Sequence, residues 1–85
     1  GNGLQPEWQI FPNPANSFVR VRMRGESNFN YEIFNLTGSE VQNGRIDEDH
    51  DQVEISSLPD GMYFFRLFDP GSVFSGLRKI IKISK

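Results

Sequence analysis

One histidine and a short acidic run are the first residues here whose types could do chemistry. His50 sits inside Asp47-Glu48-Asp49-His50-Asp51. A nucleophilic site would need His50 to activate a Ser or Thr hydroxyl, with a carboxylate orienting the ring. No Gly-x-Ser-x-Gly elbow exists to present such a hydroxyl. The run also lies between two strand-like segments, so the residues favour a solvated loop histidine. Asp47, Asp49 and Asp51 match the first, third and fifth ligand positions of a calcium loop. The sixth position is then Gln52, where the sharp turn needs Gly, and the twelfth is Leu58, where a bidentate Glu is needed. A charged hairpin loop at a sheet end is expected, with no metal and no cofactor.

Three further clusters carry charge or rings. Arg20, Arg22 and Arg24 alternate with Val19, Val21 and Met23, which places all three guanidiniums on one strand face. They could hold phosphate, but a solvated face is favoured, with Asn30 and Glu32 opposite them if a hairpin runs through Gly25 to Asn28. Trp8, Tyr31 and Tyr63 could form a sugar-binding platform. The two tyrosines fall in register with apolar neighbours and read as core, which leaves only Trp8 open. Asn35-Leu36-Thr37 matches a glycosylation sequon, a triplet common by chance. Arg78, Lys79, Lys82 and Lys85 place four cations in the last eight residues, away from the acids of Asp47 to Glu54. Lysines protect an edge strand against aggregation. That structural role is favoured from the residues alone; the functional reading is a basic strand presented to an acidic receptor.

The elements that must position these groups are strands. Period-two alternation runs through Phe18–Arg24, Phe29–Asn35 and Gln52–Ser56. Met62 to Phe68 is apolar on both faces except at Arg66, the pattern of a central strand covered on both sides. Trp8–Phe11, Glu40–Arg45 and Leu77–Ser84 complete about seven short strands, and no window carries the spacing and caps of a helix. Turn chemistry separates them. Asn13-Pro14-Ala15-Asn16 puts Pro at the second turn position, and Gly38 can close a three-residue hairpin with a bulge. Leu58-Pro59-Asp60-Gly61 repeats that logic. Asp69-Pro70-Gly71-Ser72 has the type II signature, and Asn43-Gly44 is a further hairpin signal. An all-β, immunoglobulin-like β-sandwich of antiparallel strands is expected, without the Cys…Trp…Cys marker of true immunoglobulin domains.

Composition narrows the class. Eighty-five residues make one small domain with a thin core, and the absence of Cys removes disulfides and zinc-thiolate sites. A net charge of −2 argues against a nucleic-acid binder. Charged residues at 24% and aromatics at 13% do not fit a disordered tail. No apolar run reaches the ~20 residues of a membrane helix, and no signal-peptide pattern opens the chain. Gly1-Asn2-Gly3 reads as linker, so residues 1–7 are expected to be a leader remnant and residues 8–85 a domain from a longer protein.

Four segments together resemble a known family. They are Ile10-Phe11-Pro12-Asn13-Pro14-Ala15-Asn16, Tyr31 to Val41 with Leu36-Thr37-Gly38, Leu58-Pro59-Asp60-Gly61-Met62-Tyr63, and Arg78-Lys79-Ile80-Ile81-Lys82. In order and spacing they are similar to the C-terminal sorting domain of the type IX (Por) secretion system of Bacteroidota. That family reads Tyr-Pro-Asn-Pro, a Gly-Arg turn, Leu-x-x-Gly-x-Tyr and a Lys-rich last strand. Phe11 stands where Tyr is common, Asn35 where Asp is common, and Ser39 replaces the usual Arg. The resemblance implies an immunoglobulin-like sandwich. It implies a non-enzymatic address label on a larger cargo protein, exported through the periplasm to the cell surface or medium. The implied partners are the outer-membrane translocon and a sortase-like protease.

On this reading Pro12, Asn13 and Pro14 fix the chain entering the fold, Gly38 and Gly61 permit turns, and Tyr63 anchors the strand behind its turn. Lys79, Lys82 and Lys85 are the expected receptor contacts, by steering or by strand addition at an open edge. The isolated domain is expected to be a monomer. The alternative is an adhesive or carbohydrate-binding module, since fold does not fix function.

Overall fold

The computed structural model describes residues 8–23, 28–71 and 75–84. Seven strands and no helix occur among them: β1 (Trp8–Phe11), β2 (Phe18–Met23), β3 (Asn28–Phe34), β4 (Glu40–Asp47), β5 (Gln52–Glu54), β6 (Gly61–Phe68) and β7 (Ser75–Lys82). They form two antiparallel sheets, ordered β1-β2-β5 and β4-β3-β6-β7. The chain is an all-β sandwich of immunoglobulin-like type.

Alternation decides what fills the space between the sheets. Val19 and Val21 on β2 and Val53 on β5 face Ile33 on β3, Phe65 and Leu67 on β6, and Ile80 on β7. All are at most 3% exposed. Tyr31 stacks on Phe65 with centroids 5.2 Å apart, and Trp8 meets the same ring from β1 at 6.2 Å. Phe65 therefore joins three strands. In so thin a core, truncating such a side chain costs about 3–5 kcal/mol. β6 sits between β3 and β7, the central position that its apolar run implies, but the expected cover on both faces fails: its outer face, with Phe64 and Phe68 half-buried, carries no second layer among the described residues.

The hairpin at Gly38 follows its turn chemistry. Gly38 takes φ +88°, and its N–H donates to the Asn35 carbonyl at 3.0 Å. The Asn35 side-chain oxygen accepts from the N–H groups of Thr37 and Ser39 at 3.1 and 3.0 Å, and the register shifts between Ile33 and Phe34. Several expectations of pairing and turns fail. Phe18–Met23 and Asn28–Phe34 do not pair with each other but lie in different sheets. Arg20 therefore meets Gln52 and Asp51 on the β5 side, and Glu32 meets Arg66 on β6. Asn43-Gly44 is not a turn. It lies in mid-strand on β4, where a Cβ on Gly44 would come within 2.7 Å of the Tyr31 ring. Positive φ occurs only at Gly38 and Gly61 among the described glycines, so Gly71 does not take the type II conformation. Its N–H instead donates to the Asp69 carboxylate at 2.9 Å.

Candidate recognition surface on the C-terminal strand

β7 is the edge strand of the four-stranded sheet, paired with β6 from Ser75↔Phe68 to Lys82↔Gly61. Alternation turns Ile80 and Lys82 inward and leaves Lys79 exposed. Trp8 of β1 reaches the first half of β7. The Arg78 guanidinium lies 4.4 Å from the Trp8 ring centroid and donates to the Trp8 carbonyl at 3.3 Å. A Cβ on Gly76 would overlap the indole, so glycine lets Trp8 lie flat against the strand.

The second half is held by the β1–β2 connection. Pro12 to Ser17 leaves one sheet, touches the edge of the other and returns. The Asn13 amide donates to the Lys79 carbonyl at 3.0 Å, and the Ile81 N–H donates to the Asn13 side-chain oxygen at 3.0 Å. One side chain thus satisfies two ladder positions. Ala15, 1% exposed, then forms a parallel bridge with Lys82: its N–H donates to the Ile81 carbonyl at 2.7 Å, and its carbonyl accepts from the Ile83 N–H at 2.8 Å. The expected Asn13–Asn16 turn is replaced by this crossing. Both X-Pro peptides, Phe11–Pro12 and Asn13–Pro14, are cis. The open edge expected for strand addition is, from Lys79 to Ile83, occupied by the chain itself.

The end of β7 is tied to the β5–β6 corner. Lys82 is 3% exposed, and its ammonium lies 3.5 Å from the Asp60 carboxylate and 3.3 Å from the Ser84 hydroxyl. The Ser84 hydroxyl and N–H also donate to Asp60, at 2.6 and 3.1 Å. The Ser84 hydroxyl, then its N–H, then the Lys82 charge hold the Asp60 carboxyl below its ordinary value of 3.8. Next along the chain, Gly61 takes φ +153°, a conformation side chains rarely adopt. The Tyr63 hydroxyl reaches back to the Pro59 carbonyl at 2.6 Å. Such a tyrosine, at the corner where the chain crosses between sheets, recurs in immunoglobulin-like sandwiches.

Lys79 and Lys82 therefore occupy different environments. Lys79 is exposed and forms no ion pair among the described residues. Lys82 is buried against Asp60, which removes its ammonium from the surface that a receptor could touch. Lys85 and Arg24 lie outside the described residues. Trp8, Tyr31 and Tyr63 are all buried, so none supplies an exposed stacking platform. His50 is exposed and contacts the Asp47 carboxylate at 3.0 Å, which holds Asp47 below its ordinary value. Sequence reasoning missed the roles of Asn13 and Asp60. Asn13 had a signal, an amide side chain between two prolines that leave it few backbone partners. Asp60 had only its place before Gly61.

Among curated proteins no relative matches the chain. A family model described as the secretion system C-terminal sorting domain matches residues 9–83, which begin in β1 and take in all of β7. The chain belongs to that family.

Proposed function

We propose that this domain is the address label of a larger cargo protein, read without any chemical step by the outer-membrane type IX secretion machinery. A sorting signal of this kind implies export to the cell surface or medium. The observation that carries the reading is the family match over residues 9–83. The geometry adds support. The domain's fastenings converge on β7, which presents one free ammonium, Lys79, on a rigid strand. A rigid, outward cation suits steering toward an acidic receptor. Lys85 remains a proposed contact, and Lys82 serves recognition by holding the strand end in place.

Deleting Ile81 to Lys85 from the full-length parent is the test. It removes the Ala15 bridge and the Asp60 tie together with the terminal cation. The expected outcome is cargo retained in the periplasm. Normal levels at the surface or in the medium would overturn the sorting reading. Lys79→Glu refines the test, because it reverses charge without touching the core. It should reduce export while leaving the thermal unfolding midpoint of the isolated domain unchanged.

A further inference from the structure

We propose that the outer face of the β4-β3-β6-β7 sheet is a self-association surface, on which two copies of this chain stack about a two-fold axis running along the strands between β3 and β6. The outer face of a sandwich sheet is ordinarily polar. Here it carries Phe34, Met62, Phe64 and Phe68, only half-buried, and Leu77 at 56% exposure.

The register sets these residues in rows across the four strands. One row reads Glu40, Phe34, Phe64, Lys79. The next reads Asn43, Glu32, Arg66, Leu77. In both rows the acid stands on the β4–β3 side and the base on the β6–β7 side. A two-fold axis through the middle of the face reverses each row. It lays Glu40 of one copy over Lys79 of the other, Phe34 over Phe64, and Glu32 over Arg66. The pattern is therefore complementary to itself, the condition an isologous interface must meet. Within one copy Arg66 already donates to Glu32 at 2.8 Å, so stacking joins two such pairs into a four-membered network and leaves neither charge unpaired. The axis also keeps Leu36, 65% exposed in the β3–β4 loop, level with Met62 of the second copy.

Size sets the strength. Four strands at about 4.8 Å spacing and four rows at about 6.8 Å give a footprint of roughly 500 Å². A standard interface buries about 800 Å² per partner. The dimer is accordingly weak, with Kd between about 10 μM and 1 mM. It forms through a sheet face, whereas the monomer expected from sequence weighed only an open edge.

Charge exchange tests the geometry. Within one chain Glu40 and Lys79 are three strand spacings apart, about 14 Å, beyond the ~10 Å screening length at 0.1 M salt. Any coupling between them reports contact between copies. The isolated 85-residue chain contains no export machinery, so its mass reads self-association alone. Sedimentation from about 50 μM to 1 mM should show the mass rising toward twice the monomer. Glu40→Lys and Lys79→Glu should each weaken association about tenfold, because each places like charges at both symmetric positions. The double variant should return to within about threefold of the parent. A single mass throughout this range overturns the proposal. So do single variants without effect, or a double variant weaker than either single.

Discussion

The side-chain amide of Asn13 and the backbone of Ile81 are hydrogen-bonded as if Asn13 were a strand beside β7: the Ile81 N–H meets its oxygen at 3.0 Å while its nitrogen serves the Lys79 carbonyl at 3.0 Å. The contact spans 68 positions and joins the first connection of the fold to the last strand. It covers an edge that would otherwise invite pairing with another chain.

Removing that amide should loosen the terminal strand. Asn13→Ala loses two hydrogen bonds at an exposed site, where water replaces part of each, so a loss of about 1–2 kcal/mol is expected by urea denaturation. Asn13→Asp keeps an acceptor for Ile81 but points a carboxylate at the Lys79 carbonyl, and should be worse than Asn13→Ala. Faster amide exchange at Ile81 and Ile83 in both variants would localise the effect. Unchanged exchange there would refute the clamp.

Lys82 should behave as an interior residue. Lys82→Met keeps the stem and leaves Asp60, 56% exposed, in water, so stability should stay within about 1 kcal/mol of the parent. Lys82→Glu buries a carboxylate beside Asp60 and should cost on the order of 3 kcal/mol or more. A Met variant that folds and still directs export would show that the ammonium itself is not read. Thermal unfolding and secretion of the full-length parent supply the two measurements.

Acid should release the tie at the end of β7. The Asp60 carboxyl is held below 3.8 by Ser84 first and Lys82 second, so its folded value lies under its unfolded one. Its contribution is then complete above the unfolded value and is lost as pH falls through the folded value. Asp60→Asn should lower the melting midpoint at pH 7 and flatten its decline between about pH 4 and pH 2. Part of the slope should persist, because Asp47 is depressed in the same direction by His50. An unaltered pH profile would discount the contact.

Two strand glycines should resist a single methyl. Gly76→Ala drives a Cβ into the Trp8 indole, and Gly44→Ala drives one into the Tyr31 ring at 2.7 Å. Both rings are packed core, so each substitution should cost about 1–3 kcal/mol. Gly76→Ala should also change the emission of Trp8, the only tryptophan. Stability equal to the parent would mean that the rings shift freely.

Period-two alternation along Phe18–Met23 and Asn28–Phe34, together with the run Met62–Phe68 that is apolar on both faces and the turn residues between them, was enough to place the strands, the two-layer architecture and the central position of β6. The ordered motifs from Pro12 to Lys82 were enough to indicate the family. Which strand lies beside which was not local information. Nothing in Phe18–Met23 and Asn28–Phe34 distinguishes a hairpin from a crossover, yet the two strands lie in different sheets, which separates the Arg20 face from Glu32. Alternation likewise turns Lys82 inward, but only the tertiary structure brings Asp60 from the β5–β6 corner to receive it. The same holds for the edge of β7: charge along the strand is written in sequence, whereas closure of its ladder depends on Asn13, 66 residues from Lys79. Hydrogen-bond satisfaction is settled by what folding brings near, and no periodicity encodes it.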